Sequence, residues 1–182
     1  FPSTQFLTMK GIITMTSPRE SLAAWLRDAH AMEGQAETLL QTQIDRLKNY
    51  PEALPRLQSH LEETKQQRAA LESCLHRLGE DTSSLKDGTM KIAANMQGLM
   101  HAMASDEVLK NALASAAFEQ FEAASYRMLV TAAEVAGEKE IADTCRTIME
   151  QEVSMADWVW GQLQPLTQKY LQLDLAGADA KR

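Results

Sequence analysis

The chain has 182 residues, a net charge of −7 and a pI near 5.1, enough for one domain with its own hydrophobic core. Apolar residues make up 45% and aromatics only 5%, so Leu, Ala, Met and Ile must build that core, which favours helices and disfavours a β-sandwich. The acidic balance disfavours sequence-independent nucleic-acid binding and a peripheral hold on anionic membranes, since both depend on Lys and Arg.

Residues 1–16 carry one lysine and the short apolar run Gly11-Ile12-Ile13-Thr14-Met15, without the pattern of a secretion signal. They are expected to form an arm outside the fold, with the cytoplasm as the default compartment. No apolar run reaches the roughly 18 residues of a spanning helix, so no membrane partner is expected. The first helix opens at Ser17-Pro18-Arg19-Glu20, an N-cap serine, a proline at the first helical position and a glutamate closing the capping box. Its stripe of Leu22, Trp25, Ala29, Met32, Ala36, Leu40, Ile44 and Leu47 runs to about residue 48, where Asn49-Tyr50-Pro51 ends it. A second helix follows with Leu57, Leu61, Thr64, Leu71, Leu75 and Leu78, stopped by Gly79. Its Cys74 and the later Cys145 read as reduced core residues.

Residues 79–86 are polar and turn-rich, and 90–103 predict a short helix in a crossover. The third long helix starts near Ser105-Asp106 and carries Leu109, Leu113, Ala116, Ala117, Phe121, Ala124, Met128 and Val135 as its apolar positions before Gly137. The fourth places Ile141, Cys145, Ile148, Met155, Val159 and Leu163 on one stripe until Pro165 ends or kinks it, and residues beyond 175 are expected to fray. Two helical hairpins joined by a long connection describe an all-α four-helix bundle of the crossover type, over residues 17–173 with a tail from 174 to 182.

Glutamates that interrupt the apolar stripes carry the functional signal, because burying a carboxylate without a partner is costly. Glu33 lies among Leu26, Ala29, Ala36 and Leu40, and Glu152 among Cys145, Ile148, Met155 and Val159. His60 and Glu63 share a face with Gln67 at the edge of the second helix's stripe, while Glu119 and Glu122 sit among alanines, Phe118 and Tyr126. Symmetry about the two turns sets Glu33 level with Glu63, and Glu122 level with Glu152; each pair is thirty residues apart. Converging carboxylates repel or take up protons unless divalent cations neutralise them. The donor set predicts two metal ions, iron or alternatively manganese, rather than structural zinc. It also departs from the Glu-x-x-His pattern of bundle di-metal sites, with His60-x-x-Glu63 reversed and Met155 in place of a histidine.

The segments Leu26-Arg27-Asp28-Ala29-His30-Ala31-Met32-Glu33, His60-Leu61-Glu62-Glu63-Thr64, Phe118-Glu119-Gln120-Phe121-Glu122 and Met155-Ala156-Asp157-Trp158 resemble the bacterial YciE/YciF ferritin-like stress proteins. The likeness is closest to the YciE branch and covers roughly residues 17–169. It implies a ferritin-like bundle, homodimers and a di-metal centre in a family linked to stress responses, and its carry-over falls on Glu33, His60, Glu63, Glu119, Glu122 and Glu152. Where that family usually has Glu-Glu-Lys on the last helix, this chain has Gln151-Glu152-Val153. Two functions follow as expectations. One is a di-iron protein reacting with peroxide or dioxygen and served by a reductant protein, with Tyr126 as a hydrogen-bond donor or radical trap beside the ligands. The other is a non-enzymatic stress or assembly protein, with Trp158, Trp160 and Tyr170 at its interface.

Overall fold

The computed structural model of the protein describes residues 17–81 and 106–181. Among them lie α1 (Pro18–Arg46), a 3-10 turn (Pro51–Ala53), α2 (Leu54–Arg77), α3 (Glu107–Val135) and α4 (Lys139–Leu175), with no strand among the described residues. The arm at 1–16 and the expected helix at 90–103 lie outside the described residues. No described helix is long and apolar enough to cross a membrane.

The capping box forms as its residue types dictate. The Glu20 N–H donates to Ser17 Oγ at 3.2 Å, and the Ser17 N–H donates to the Glu20 carboxylate at 2.7 Å. At the other hairpin Gly137 takes φ +76°, a left-handed conformation that costs glycine little, and Glu138 N–H closes back on Ala133 at 2.9 Å. Side-chain bonds then set the register of the bundle. Arg46 meets Glu107 at 2.5 and 2.7 Å, Gln43 meets Ser115 at 3.0 Å and Glu33 meets Tyr126, so α1 and α3 are antiparallel. Gln67 against Glu152 and Arg77 against Glu140 make α2 and α4 antiparallel too. Helices α2 and α3 therefore point the same way, and the chain between them joins opposite ends of the bundle, which is the ferritin-like connection.

Two apolar clusters fill the interior. One gathers Leu22, Leu26, Leu71, Leu75, Ile141 and Cys145; the other holds Leu40, Leu57, Leu61, Met155 and Val159. The glutamates lie between them, Glu33 between Met32 and Leu40 on α1, and Glu152 between Ile148 and Met155 on α4. Cys74 and Cys145 are free and buried, and burial pushes the Cys145 thiol up to about 12, leaving it inert.

Several expectations are corrected. The stripe of Leu113, Phe121, Met128 and Val135 on α3 faces outward; Val108, Ala123, Tyr126, Leu129 and Ala133 face the core instead. An α3 apolar on nearly every side has no periodicity to separate the two faces. Trp25 is likewise largely exposed, with Leu22 and Leu26 taking the interior. Glu33 is not level with Glu63. A Cβ placed on Gly34 would lie 3.8 Å from the Arg68 guanidinium, and His30 lies 2.9 Å from Glu72, so the 3-10 turn moves the midpoint of the hairpin to about residue 51. Finally, α4 runs through Pro165 to Leu175, since the carbonyl freed by proline belongs to exposed Gly161, where water can satisfy it.

The segment after α4 is pinned rather than frayed. Gly177 turns the chain with φ +67°, after which Asp179 O accepts from Asn49 at 2.8 Å, Ala180 O from the Tyr50 hydroxyl at 2.7 Å and Lys181 O from Val108 N–H at 3.0 Å. Tyr50 is fully buried. Replacing it with Phe strands a buried carbonyl, so Tyr50→Phe is expected to lower stability by about 1–2 kcal/mol in urea titrations and to open the C-terminal segment to proteolysis. An unchanged urea midpoint would mean that this bond does not hold the tail.

Candidate metal centre

Each helix contributes to a polar centre inside an otherwise apolar bundle. Glu33 comes from α1, His60 and Gln67 from α2, Glu119, Glu122 and Tyr126 from α3, and Glu152 from α4. None of the four glutamates is more than 4% exposed, and His60 is 1% exposed. His60 on one side, and one carboxylate oxygen from each of Glu119 and Glu152, place three ligand atoms within 4.8 Å of one another.

The imidazole is oriented from outside. Its Nδ1 lies 2.9 Å from Glu63 Oε2, which also accepts from Arg56 at 3.1 Å, and this turns Nε2 inward. Nε2 stands 3.2 Å from Glu119 Oε2 and 3.6 Å from Glu152 Oε2, yet neither oxygen finds a hydrogen bond. The other oxygen of Glu152 accepts from Gln67 Nε2 at 2.5 Å, and the same amide reaches Gln151 at 3.0 Å. Gln67 thus holds Glu152 so that its free oxygen faces His60. Tyr126 does the same for Glu33, donating its hydroxyl to Oε1 while Oε2 is left without a partner. Glu122 Oε1 is unpartnered as well.

Four buried carboxylates, each with an oxygen lacking a hydrogen bond, are the mark of a missing counter-charge, because buried polar atoms are otherwise satisfied. The proton affinities of Glu33, Glu122 and Glu152 report the same strain. Burial pushes the Glu33 carboxyl up to about 7, against the hydrogen bond from Tyr126 and the attraction of His60. Burial, reinforced by Glu33 and Glu119 and opposed by His60, pushes Glu152 up to about 9. Burial and the charges of Glu33, Glu152 and Glu119 hold Glu122 well above the usual carboxylate range. For His60 burial acts downward, but Glu119, Glu152 and Glu63 outweigh it and raise the imidazole to about 9. In the absence of a cation, protons on this cluster take its place. A divalent ion among oxygen and imidazole donors fits the residues present, with His60, Glu119 and Glu152 as the ligands already grouped.

Of the residues singled out from the sequence, Glu33, His60, Glu119, Glu122 and Glu152 converge on this centre, and Tyr126 bonds to one of them. Glu63 stands apart at the rim with its side chain 29% exposed; although burial acts upward, bonds from His60 and Arg56 lower its carboxyl. Gln67 carries no metal signal in the sequence, since a neutral amide is not a usual ligand for such an ion. Its position seven residues after His60, on the same helical face, is the trace it leaves in the sequence.

Helices in this topology around a buried His/Glu/Glu group that can hold a metal ion define a ferritin-like bundle. The chain belongs to DUF892, a domain of unknown function whose family model matches residues 17–172, and that family has the ferritin-like fold. It is also similar to a protein of Xanthomonas campestris pv. campestris known from a crystal structure. The two are 36% identical, with a TM-score of 0.74 over 87% of this chain and 99% of that one.

The proton affinities give the centre a pH signature. Glu33, Glu152 and His60 bind protons more tightly folded than unfolded, where carboxyls titrate near 4.5 and imidazole near 6.5. Their contribution to stability is therefore complete below those values and is lost as pH rises through about 7 for Glu33 and about 9 for Glu152 and His60. Glu63, lowered, acts in the opposite sense and loses its contribution as pH falls. Chelator-treated protein is thus expected to melt at progressively lower temperature from pH 5 to pH 9, while the stabilisation by added divalent metal grows over the same range. A melting temperature that climbs steadily with pH in chelator would remove the protonated cluster.

Proposed function

We propose that this chain is a ferritin-like metalloprotein whose buried centre holds two divalent ions, iron in the first instance and manganese as the alternative. In this reading His60, Glu119 and Glu152 hold one ion, and Glu33 and Glu122 supply the carboxylates for the second. The observation that carries it is the set of four buried carboxylates with unpartnered oxygens around one inward-facing imidazole nitrogen. Held there, two ferrous ions would supply the two electrons that, with two protons, convert one hydrogen peroxide to two water molecules. The apolar clusters above and below the centre exclude bulk water from it, Gln67 and Tyr126 orient its carboxylates, and His60 keeps Nδ1–H on Glu63 so that Nε2 is free to act as a ligand. Returning the electrons is the task of a separate reductant protein.

A peroxide-consuming centre of this kind accords with the resemblance to the YciE/YciF stress proteins and gives the chain a role in limiting oxidative damage. The second reading, a bundle that serves assembly without redox chemistry, is favoured by one observation, the exposed apolar face of α3. Metal content separates the two. Protein purified without chelator is expected to carry close to two metal ions per chain, and anaerobically added ferrous ion to be oxidised by peroxide at that stoichiometry. Sub-stoichiometric metal with no oxidation would leave only the assembly reading.

Substitution tests the ligand assignment without relying on activity. Glu122 is fully buried, with one oxygen unpartnered, so Glu122→Met removes a desolvated carboxyl group with an unmet hydrogen bond at nearly constant volume. The variant is expected to be more stable than the parent in chelator, by about 1–2 kcal/mol or several degrees in melting temperature, and to gain less stability from added ferrous or manganous ion. Glu63→Leu is expected to do the reverse in chelator, because it strips His60 and Arg56 of their partner. Equal metal-induced shifts in Glu122→Met and the parent would take Glu122 out of the ligand set.

A further inference from the structure

Helix α1 stops at Arg46 and α2 begins only at Leu54, whereas α4 runs on through Pro165 to Leu175. At this end of the bundle a cavity of about 240 Å³ lies between the long wall of α4, the start of α3 and the turn that joins α1 to α2. Leu57 of α2, Val108 and Ala112 of α3, and Trp158, Val159 and Leu166 of α4 give it an apolar interior. It is separate from the buried polar centre. Val159 stands seven residues beyond Glu152 and Ala112 seven before Glu119, about 10 Å along each helix, with Leu61 and Met155 in the apolar layer between.

The walls are tied in place around this space. Arg46 bonds Glu107 at 2.5 and 2.7 Å, joining α1 to α3. Lys169 bonds Glu52 at 2.9 and 3.1 Å and stands 4.9 Å from the centre of the Tyr50 ring, joining α4 to the 3-10 turn. The Tyr50 hydroxyl donates to Ala180 O, and Val108 N–H donates to Lys181 O, so the C-terminal segment braces two of the lining residues from behind. None of these bonds needs a ligand, and an apolar cavity already formed between the helices of a bundle, with a few polar groups in it, is the usual form of a small-molecule site.

The lining selects its occupant by charge, size and shape. Its charged residues form two neutral pairs, Arg46 with Glu107 and Lys169 with Glu52, so an ionised ligand would lose water without gaining a counter-charge. Gln43 and Ser115 bond each other at 3.0 Å. That leaves the amides of Asn111 and Gln162, which have no partner among the described residues. Each is twenty-five residues from the turn at Ala136-Gly137, so they sit level on α3 and α4, and each offers a donor and an acceptor. The Trp158 indole supplies an aromatic wall, which favours a ring over a flexible chain. A dry cavity of about 150 Å³ holds benzene, so by proportion this one holds a ring system of about ten heavy atoms. We propose that the cavity binds a neutral bicyclic aromatic molecule carrying one hydroxyl-like group, its ring against Trp158 and its polar group on Asn111 and Gln162. The site does not depend on metal.

Calorimetric titration of the full chain with 2-naphthol, as purified and again after chelator treatment, tests the proposal. Both samples are expected to bind one molecule per chain with a dissociation constant on the order of 100 μM. The anion 2-naphthoate has the same rings and is expected to bind about ten-fold more weakly. The alcohol 1-octanol, of comparable size, is expected to bind several-fold more weakly because its chain must be immobilised. Ala112→Phe places a ring inside the cavity, and Ala53→Leu fills it from the 3-10 turn; both are expected to retain helical circular dichroism and to lose 2-naphthol binding. Asn111→Leu and Gln162→Leu are each expected to weaken it about five-fold. No binding to the parent, 2-naphthoate or 1-octanol binding as tightly as 2-naphthol, or unchanged binding in the folded cavity-filling variants would each overturn the proposal.

Discussion

Four carboxylates withdrawn from water between two layers of aliphatic side chains impose the central condition on this bundle. Each loses its hydration, and at low local dielectric each repels the other three. A chain can tolerate that arrangement in two ways, by keeping protons on the acids or by binding a cation among them. One imidazole meets part of the need from within, its Nε2 drawn toward Glu119 and Glu152. The oxygens that still lack a hydrogen bond define the rest, and their convergence from α1, α3 and α4 on His60 of α2 makes the centre one that could hold a metal ion.

The surrounding structure can be understood as what keeps those acids in place. Leu22, Leu26, Leu71 and Ile141 on one side, and Leu40, Leu61, Met155 and Val159 on the other, supply the burial that offsets the cost of the polar layer. Between them a second ring of residues sets angles. Gln67 bridges Gln151 and Glu152, Tyr126 bonds Glu33, and Glu63 with Arg56 orients His60. Gln151 and Val153 stand where the resembling stress proteins usually carry charges. The amide at 151 joins the bond to Gln67, and the apolar side chain at 153 is exposed.

Helix α3 links the inner centre to the outer surface. Its inward side brings two glutamates and a tyrosine to the centre, and its outward side carries almost no charge. Both follow from one composition, rich in alanine and large apolar residues with few ionisable ones. The same composition leaves the inward side of this helix undetermined by sequence pattern: when apolar residues occur all round, a 3.6-residue period selects a stripe but does not say which stripe is inside.

Local chemistry was legible in the sequence. The Ser17 to Glu20 cap, the glycine turn at 137, the two hairpins and the buried glutamates of α1 and α4 each depend on neighbours within a turn or two, and they form as their residue types require. The all-helical crossover bundle follows from the same signals. What needed the tertiary structure were relations between elements. A three-residue 3-10 turn shifted the α1–α2 register and moved Glu63 out to the rim; packing decided which face of α3 is interior; contacts more than a hundred residues apart in the chain pinned the C-terminal segment. Gln67 became meaningful only when α4 brought Glu152 against it. Short-range preferences are set residue by residue along the chain, whereas register, inward face and the partner of a buried amide are set by whichever helix arrives from elsewhere, and that arrival is not encoded in any one stretch of sequence.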